Sequence, residues 1–265
     1  MNGTTEHEFD SIPSCVEAFG KSALIFSPPS PFVSLIIAGK TARGEFLIVF
    51  DSPSRENEGD LIISARHLTP SKAAFMIRYT SGYLCAPMSS ARAKLLDLPP
   101  MVPMTENADP NRTAYCITVD AVAGAVQELG IEDREDTTTG ISANDRAVTC
   151  NVLASDNARA GHLRRPGHVV PLTARDGGVR VRRGHTEAGW DFARLAKIEP
   201  AVAVIGEMVV DGEEYSPSTE GQKIPELRNS GMMRMQQCLD FGKKWGIRCC
   251  TIEDLARHVE NMGDI

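Results

Sequence analysis

Short apolar runs alternate with polar, turn-rich stretches along most of the chain. Runs rich in β-branched and aromatic residues occur at EFLIVF (Glu45–Phe50), DLIISA (Asp60–Ala65), YLCAPM (Tyr83–Met88), YCITVD (Tyr115–Asp120), HVVPLTA (His168–Ala174) and VAVIGEMVV (Val202–Val210). Each predicts a strand. Helix starts are legible between them. Thr69 followed by Pro70 predicts a capped helix through SKAAFMIRY. Ser142 with Asp145 predicts a variant capping box ahead of ANDRAVTCNVLA, and Thr251 with Asp254 repeats the device. Behind Thr251, the residues Ile252, Leu255, Val259 and Met262 fall at helical spacing. Strand and helix signals alternate with no internal repeat, which predicts an α+β (mixed α/β) fold. We read residues 1–265 as a single domain with its core at 9–260.

Two segments break the pattern and are read as insertions. Ser22–Arg43 joins a proline-serine cluster, SPPSP, to an apolar run, FVSLIIAG, with no hairpin partner nearby. Proline cannot continue a helix there, and an extra loop of this size costs roughly 1 kcal/mol or less. The expectation is that this segment lies outside the core and that deleting Ala23–Ala42 leaves a folded protein. Gly124–Asp136 is acidic and reads as a solvated loop or a short helix.

Composition narrows the partners. With 42% hydrophobic and 24% charged residues the chain is ordinary for a globular protein. Its net charge of −7 argues against nucleic acid or an anionic membrane surface as main partner, while leaving room for a small anionic substrate. The seven cysteines are scattered and form no CxxC pair, as expected for reduced thiols in a cytoplasmic protein. The first residues lack a basic region ahead of an apolar stretch, and FVSLIIAG is too short to span a bilayer. We expect neither a membrane nor a nucleic-acid partner.

The charge within SRENEGDLI (Ser54–Ile62) is the first sign of chemistry. Glu56, Glu58 and Asp60 occupy alternate positions between two apolar runs, so an extended backbone puts them on one face. Such carboxylates repel one another unless a cation sits among them, and hard divalent ions prefer oxygen ligands of this kind. An exposed hairpin would also account for the stretch. In RRGHTEAGWDFARLA (Arg182–Ala196), Thr186 reads as the N-cap of a helix, whose free N–H groups with Arg182 and Arg183 could hold a phosphate. His185 could offer a nitrogen to a metal. A capped helix with incidental arginines is the plainer reading. In RRPGHVVPL, His168 follows a Pro-Gly turn and could act as acid or base, or be structural. Glu207 interrupts an apolar strand and must be paired, metal-associated or at a wet edge.

Taken together, RENEGDLI, RYTSGYLCAPM, LDLPPMV, RTAYCITVDA, TTTGISANDRA, RRPGHVVPL, RRGHTEA and GIRCCTIEDLARHVE run in the order of one family, from Phe9 to Glu260. The chain resembles the monofunctional 3,4-dihydroxy-2-butanone 4-phosphate synthases of riboflavin biosynthesis. The resemblance implies a mixed sheet flanked by helices and a homodimer with shared active sites. It implies magnesium (or manganese), two ions per site, as the only cofactor. The implied reaction is conversion of D-ribulose 5-phosphate, a small phosphorylated sugar, to 3,4-dihydroxy-2-butanone 4-phosphate plus formate. A proton leaves C1 to give an enediol, water is lost from C3, the carbon skeleton shifts, water attacks and C4 departs as formate.

The resemblance also implies roles. Glu56 and His185 match the metal ligands, and Asp60 contacts the sugar. Arg55 adjoins the substrate, while Arg182, Arg183, Gly184, His185, Thr186 and Thr113 help hold it. His168 and Glu207 match residues essential for turnover. Cys85, close to the substrate, is expected to be redox-sensitive if the site around it is cationic, and inert if buried. Three departures stand out. Ser52 replaces an acidic residue, AGWDF replaces smaller apolar residues, and, unlike bifunctional relatives, the chain is expected to carry no GTP cyclohydrolase module. The first, with the Ser22–Arg43 insertion, leaves open a catalytically impaired member kept as a binding protein. A nucleic-acid-binding α/β domain is the other alternative, opposed by the net charge.

Overall fold

Strand β1 (Leu47–Phe50) is buried at all four positions, and so is β2 (Gly59–Ser64) at all six. Strands buried on both faces read as continuous apolar runs rather than alternating ones. Leu47, Val49 and Ile62 enter one core cluster, and Ile48, Phe50, Leu61 and Ile63 enter the other. The sheet therefore lies between two helical layers. The computed structural model describes residues 9–20, 44–210 and 231–262. The expectation for Ser22–Arg43 lies outside these residues.

Seven strands form one mixed sheet in the order β4-β5-β3-β6-β2-β1-β7. The remaining strands are β3 (Cys85–Met88), β4 (Val119–Ala121), β5 (Leu163–Thr173), β6 (Ala203–Glu207) and β7 (Arg248–Thr251). β1–β7 and β3–β5 are parallel, and the other pairs are antiparallel. Helices α1 (Ile12–Gly20), α6 (His185–Leu195) and α8 (Ile252–Asn261) cover one face. Helices α2 (Pro70–Tyr79), α3 (Ser90–Leu95), α4 (Ala125–Glu128), α5 (Ala143–Leu153) and α7 (Met235–Trp245) contribute to the other.

Several local expectations hold. Thr69 caps α2 by accepting from the Lys72 amide at 3.2 Å, with Pro70 at the first helical position. Thr251 caps α8, whose Ile252, Leu255 and Val259 are buried, although Met262 is exposed. Ser142 caps α5, but the Asp145 carboxylate turns to the Thr138 and Gly140 amides and the Thr138 hydroxyl. Burial alone would raise its pKa, and these hydrogen bonds instead bring it to about 2. Asp145 thus anchors the TTTG loop. Of the two readings of Gly124–Asp136, the short helix is found, and its Ala125 and Val126 are buried in the core.

YCITVD is strand only from Val119, with Tyr115 and Cys116 making isolated bridges. The pairing of β4 with β5 is bulged. Val119 pairs with Val169, but Asp120 pairs with Arg164, so several residues of β5 stand out of register. β6 ends at Glu207, leaving Val209 in an isolated bridge with Met232.

Candidate active site and metal centre

At the end of β1 the chain turns through Asp51–Glu58 and returns as β2. The three alternate carboxylates therefore do not share a strand face, because Glu56 and Glu58 lie in the turn ahead of Gly59. The turn is organised from inside by Asp51. Its buried carboxylate accepts from the Glu56 amide (3.1 Å), the Glu58 amide (2.9 Å) and the Arg55 guanidinium (2.9 Å). Arg234, at the start of α7, clamps the same turn through the Glu56 and Asn57 carbonyls.

His185 enters from α6, whose first turn abuts this loop. Its Nε2 lies 3.1 Å from the Val49 carbonyl, which can only accept. That bond puts the ring proton on Nε2 and leaves the Nδ1 lone pair free. Nδ1 lies 3.7 Å from Asp60 Oδ1 and 3.8 Å from Glu56 Oε2. Burial lowers the His185 pKa to about 4, so the ring is neutral near pH 7. Asp60 is buried on β2, and among the described residues its Oδ1 has no hydrogen-bond partner. Burial raises its pKa well above the ordinary value, with Glu207 and Glu56 adding to the rise. Glu56 is raised in the same way by burial, against the pull of Arg55.

Donor atoms of Asp51, Glu56 and His185 lie within 4.8 Å of one another. Two carboxylates, a neutral imidazole with its lone pair turned inward, and an orphaned buried carboxylate oxygen beside them fit a hard divalent cation. Asp51 completes this group, and the sequence reading did not assign it.

Glu207 pairs directly with Asp60 across β6 and β2, and its Oε2 accepts from the Ser81 hydroxyl at 2.9 Å. Beside α6, Arg182 is engaged on three sides. It bonds Glu187 Oε2 (2.5 Å), Thr113 Oγ1 (3.1 Å) and the Asn111 carbonyl (3.1 Å). His168 stands in the β5 bulge. Both its amide and its Nδ1 meet the buried Asp120 carboxylate at 2.8 Å, and Arg164 pairs with the same carboxylate. Asp120 therefore accepts a hydrogen bond from Nδ1–H and leaves Nε2 as the available base. The sequence reading missed Asp120, whose signal was an acidic residue inside an apolar run.

A family model described as 3,4-dihydroxy-2-butanone 4-phosphate synthase matches residues 37–258. The chain belongs to this family.

Among relatives of that name, one from Pyricularia oryzae is 46% identical over 252 residues, covering 95% of this chain and 90% of the relative. One from Saccharomyces cerevisiae is 43% identical over 222 residues, covering 82% and 93%. A solved structure of a 3,4-dihydroxy-2-butanone 4-phosphate synthase in complex with two magnesium ions superposes with a TM-score of 0.76. It shares 45% identity over 96% of this chain and 98% of that one.

Set against the residues that membership in the synthase family implies, the structure gathers Arg55, Glu56, Asp60, Glu207 and His185 in one place, with Arg182, Gly184, Thr186 and Thr113 beside them. It differs at four points. Gly184, not Thr186, is the N-cap of α6, and Thr186 is buried in the first turn. Arg183 points to α8, where it pairs with Glu253 and Glu260, so its side chain is not brought to the site. His168 lies on β5, two strands beyond β6 and three beyond β2, or about 10 and 14 Å at ordinary strand spacing. Within the chain its imidazole bonds Asp120, while Glu207 bonds Ser81. Cys85 is buried, and burial pushes its thiol well above the ordinary pKa, with Glu207 and Asp60 adding to the rise. Its charged neighbours are carboxylates rather than cations, the surroundings of the buried, inert alternative.

Ser52 is exposed and shares a hydrogen bond with Ser54, while Asp51 supplies the carboxylate that shapes the turn. In AGWDF, Trp190 lies under the Arg194 guanidinium, 4.5 Å from the ring centre. Phe192 packs on Phe19, between α6 and α1.

Proposed function

We propose that this chain converts D-ribulose 5-phosphate to 3,4-dihydroxy-2-butanone 4-phosphate and formate in riboflavin biosynthesis, as a magnesium- or manganese-dependent lyase. The observation that carries the reading is the convergence of Asp51, Glu56, Asp60 and His185 at the end of β1 and β2. When bound there, the cation supplies positive charge that stabilises oxyanions on the sugar. Asp51, Glu56 and the Nδ1 of His185 would hold it, in a site we take to bind two ions, and Asp60 would meet the sugar.

The phosphate is assigned to the first turn of α6. Gly184 caps that turn with no side-chain hydrogen bond, so its amides remain free, and Arg182 stands beside them fixed by Glu187. Glu207, held by Ser81 opposite Asp60, and His168, with Nε2 freed by Asp120, are assigned the proton transfers. The separation of His168 from Glu207 along the sheet supports a homodimer in which sites are completed across the interface. Seven unpaired cysteines support a cytoplasmic location, and among the described residues no helix is long and apolar enough to cross a membrane.

The test is formate release from D-ribulose 5-phosphate. Activity should vanish with EDTA and return with magnesium or manganese, and Glu56→Gln and His185→Ala should lose it. Near-normal metal-dependent turnover by either variant would refute the ligand assignment.

A further inference from the structure

The loop 107–113 touches both halves of the site, and it is tied into shape by its own bonds. Asn107, buried, donates to the Thr113 carbonyl at 2.9 Å and accepts from the Asp109 amide at 2.9 Å. The Asp109 carboxylate accepts from the Thr113 amide at 2.8 Å, and Arg112 donates to the Asn107 carbonyl at 2.6 Å. From this frame Asn111 reaches in two directions. Its side-chain Nδ2 donates to Glu56 Oε1 at 2.5 Å, and its backbone carbonyl accepts from Arg182 Nε at 3.1 Å. One residue therefore joins the carboxylate assigned to the metal and the guanidinium assigned to the phosphate.

We infer that Asn111 is a positioning residue that couples metal binding to phosphate binding; the inference rests on the roles proposed above for Glu56 and Arg182. A carboxylate on a flexible side chain presents either oxygen to a cation. Here the Asn111 amide holds Oε1, and Oε2, which also pairs with the Arg55 guanidinium, is thereby kept facing His185 Nδ1. Hydrogen-bond partners of metal ligands act in this way, and their loss commonly weakens metal binding about 10-fold or more. The second contact makes the arrangement reciprocal. An anion drawn to Arg182 steadies the Asn111 carbonyl and with it the loop, and a cation drawn to Glu56 steadies the same loop from the other side. Each ligand then favours the other by the same factor.

The test measures Mn2+ dissociation constants by the EPR signal of free Mn2+ on the full chain, with and without inorganic phosphate as the anion probe. Asn111→Ala removes the amide, and Asn111→Asp keeps its shape while replacing the donor with an acceptor. Melting temperatures confirm that each variant is folded. Both variants are expected to raise the Mn2+ Kd about 10-fold and to abolish the tightening that phosphate causes in the unaltered chain. Mn2+ affinity within twofold of the unaltered chain in either folded variant would overturn the inference. So would the absence of any phosphate effect in the unaltered chain. Glu56→Gln separates the two readings. If it binds Mn2+ normally, the ligand assignment has failed and this inference falls with it. If it loses Mn2+ while the Asn111 variants keep it, Asn111 alone has been misread.

Discussion

Asp60 shows how far the site departs from what folding alone would select. Its carboxyl is buried beside Glu207, Glu56, Glu58 and Asp51, and its pKa lies well above the ordinary 3.8. Because the folded value is the higher one, the group costs no stability below 3.8, and the cost grows as pH rises toward the folded value. At pH 8 and in EDTA, Asp60→Asn should therefore raise the melting temperature, by roughly 2–4 °C for about 1 kcal/mol, while turnover falls at least ~100-fold. A variant that melts lower in EDTA would show that Asp60 is not electrostatically frustrated. The neighbouring residues divide by role. Arg182→Ala should mainly raise KM, whereas His168→Ala and Glu207→Gln should mainly lower kcat. The reverse split in steady-state kinetics would exchange their assignments. Glu56 and Asp60 drew attention in the sequence because charge stood out between apolar runs, and His185 because it stands at a helix start behind two arginines. Asp51 was not, since an acidic residue closing a strand reads as ordinary turn chemistry. Asn111 and Arg234 were invisible, because their partners lie 55 and 178 residues away along the chain.

Elements were legible where one local device decides them. Thr69-Pro70 and Thr251 are side-chain caps, and both helices begin where those residues require. The start of α6 was misplaced because the preferred capping residue, Thr186, is drawn into the first turn, while Gly184 fits a position crowded by Arg182 and Glu187. YCITVD was read too long because pairing across β4 and β5, its bulge included, depends on the partner strand and leaves no local mark. That bulge is the element that delivers His168. A Cβ on Gly167 would run into the backbone of Val119 and Asp120. Gly167→Ala should push β5 off β4, lower the melting temperature by several degrees at a cost of about 1–3 kcal/mol, and reduce kcat with KM little changed. Kinetics and melting like those of the unaltered chain would show that the close approach of β4 and β5 does not set the histidine.

At the scale of the whole molecule, the alternation of strands and helices announced a mixed sheet between helical layers, but strand order did not follow from it. The pairing of Asp60 with Glu207, which creates the acidic centre, joins strands that are far apart in the chain. A cation at this centre binds the folded state and not the unfolded chain. Magnesium at about 100 times its Kd should stabilise the protein by about 2.7 kcal/mol, which is roughly 5–10 °C for a domain of this size. His185→Ala should show no such rise in a thermal melt with and without magnesium. An equal rise in that variant would place the stabilising ion elsewhere.

The sheet's register carries one more consequence, for the order of events at the ribosome. Among the described strands, β1 is synthesised first and its parallel neighbour β7 last. The amide of Asp10 bonds the Cys249 carbonyl, and the Cys249 amide returns the bond to the Asp10 carboxylate. Until β7 emerges, the nascent chain holds an apolar strand with one edge open, a surface that other chains can extend. Closure awaits the arrival of β7, and contacts of such long range close slowly. The interval between emergence of β1 and arrival of β7 is therefore when this protein most needs a chaperone.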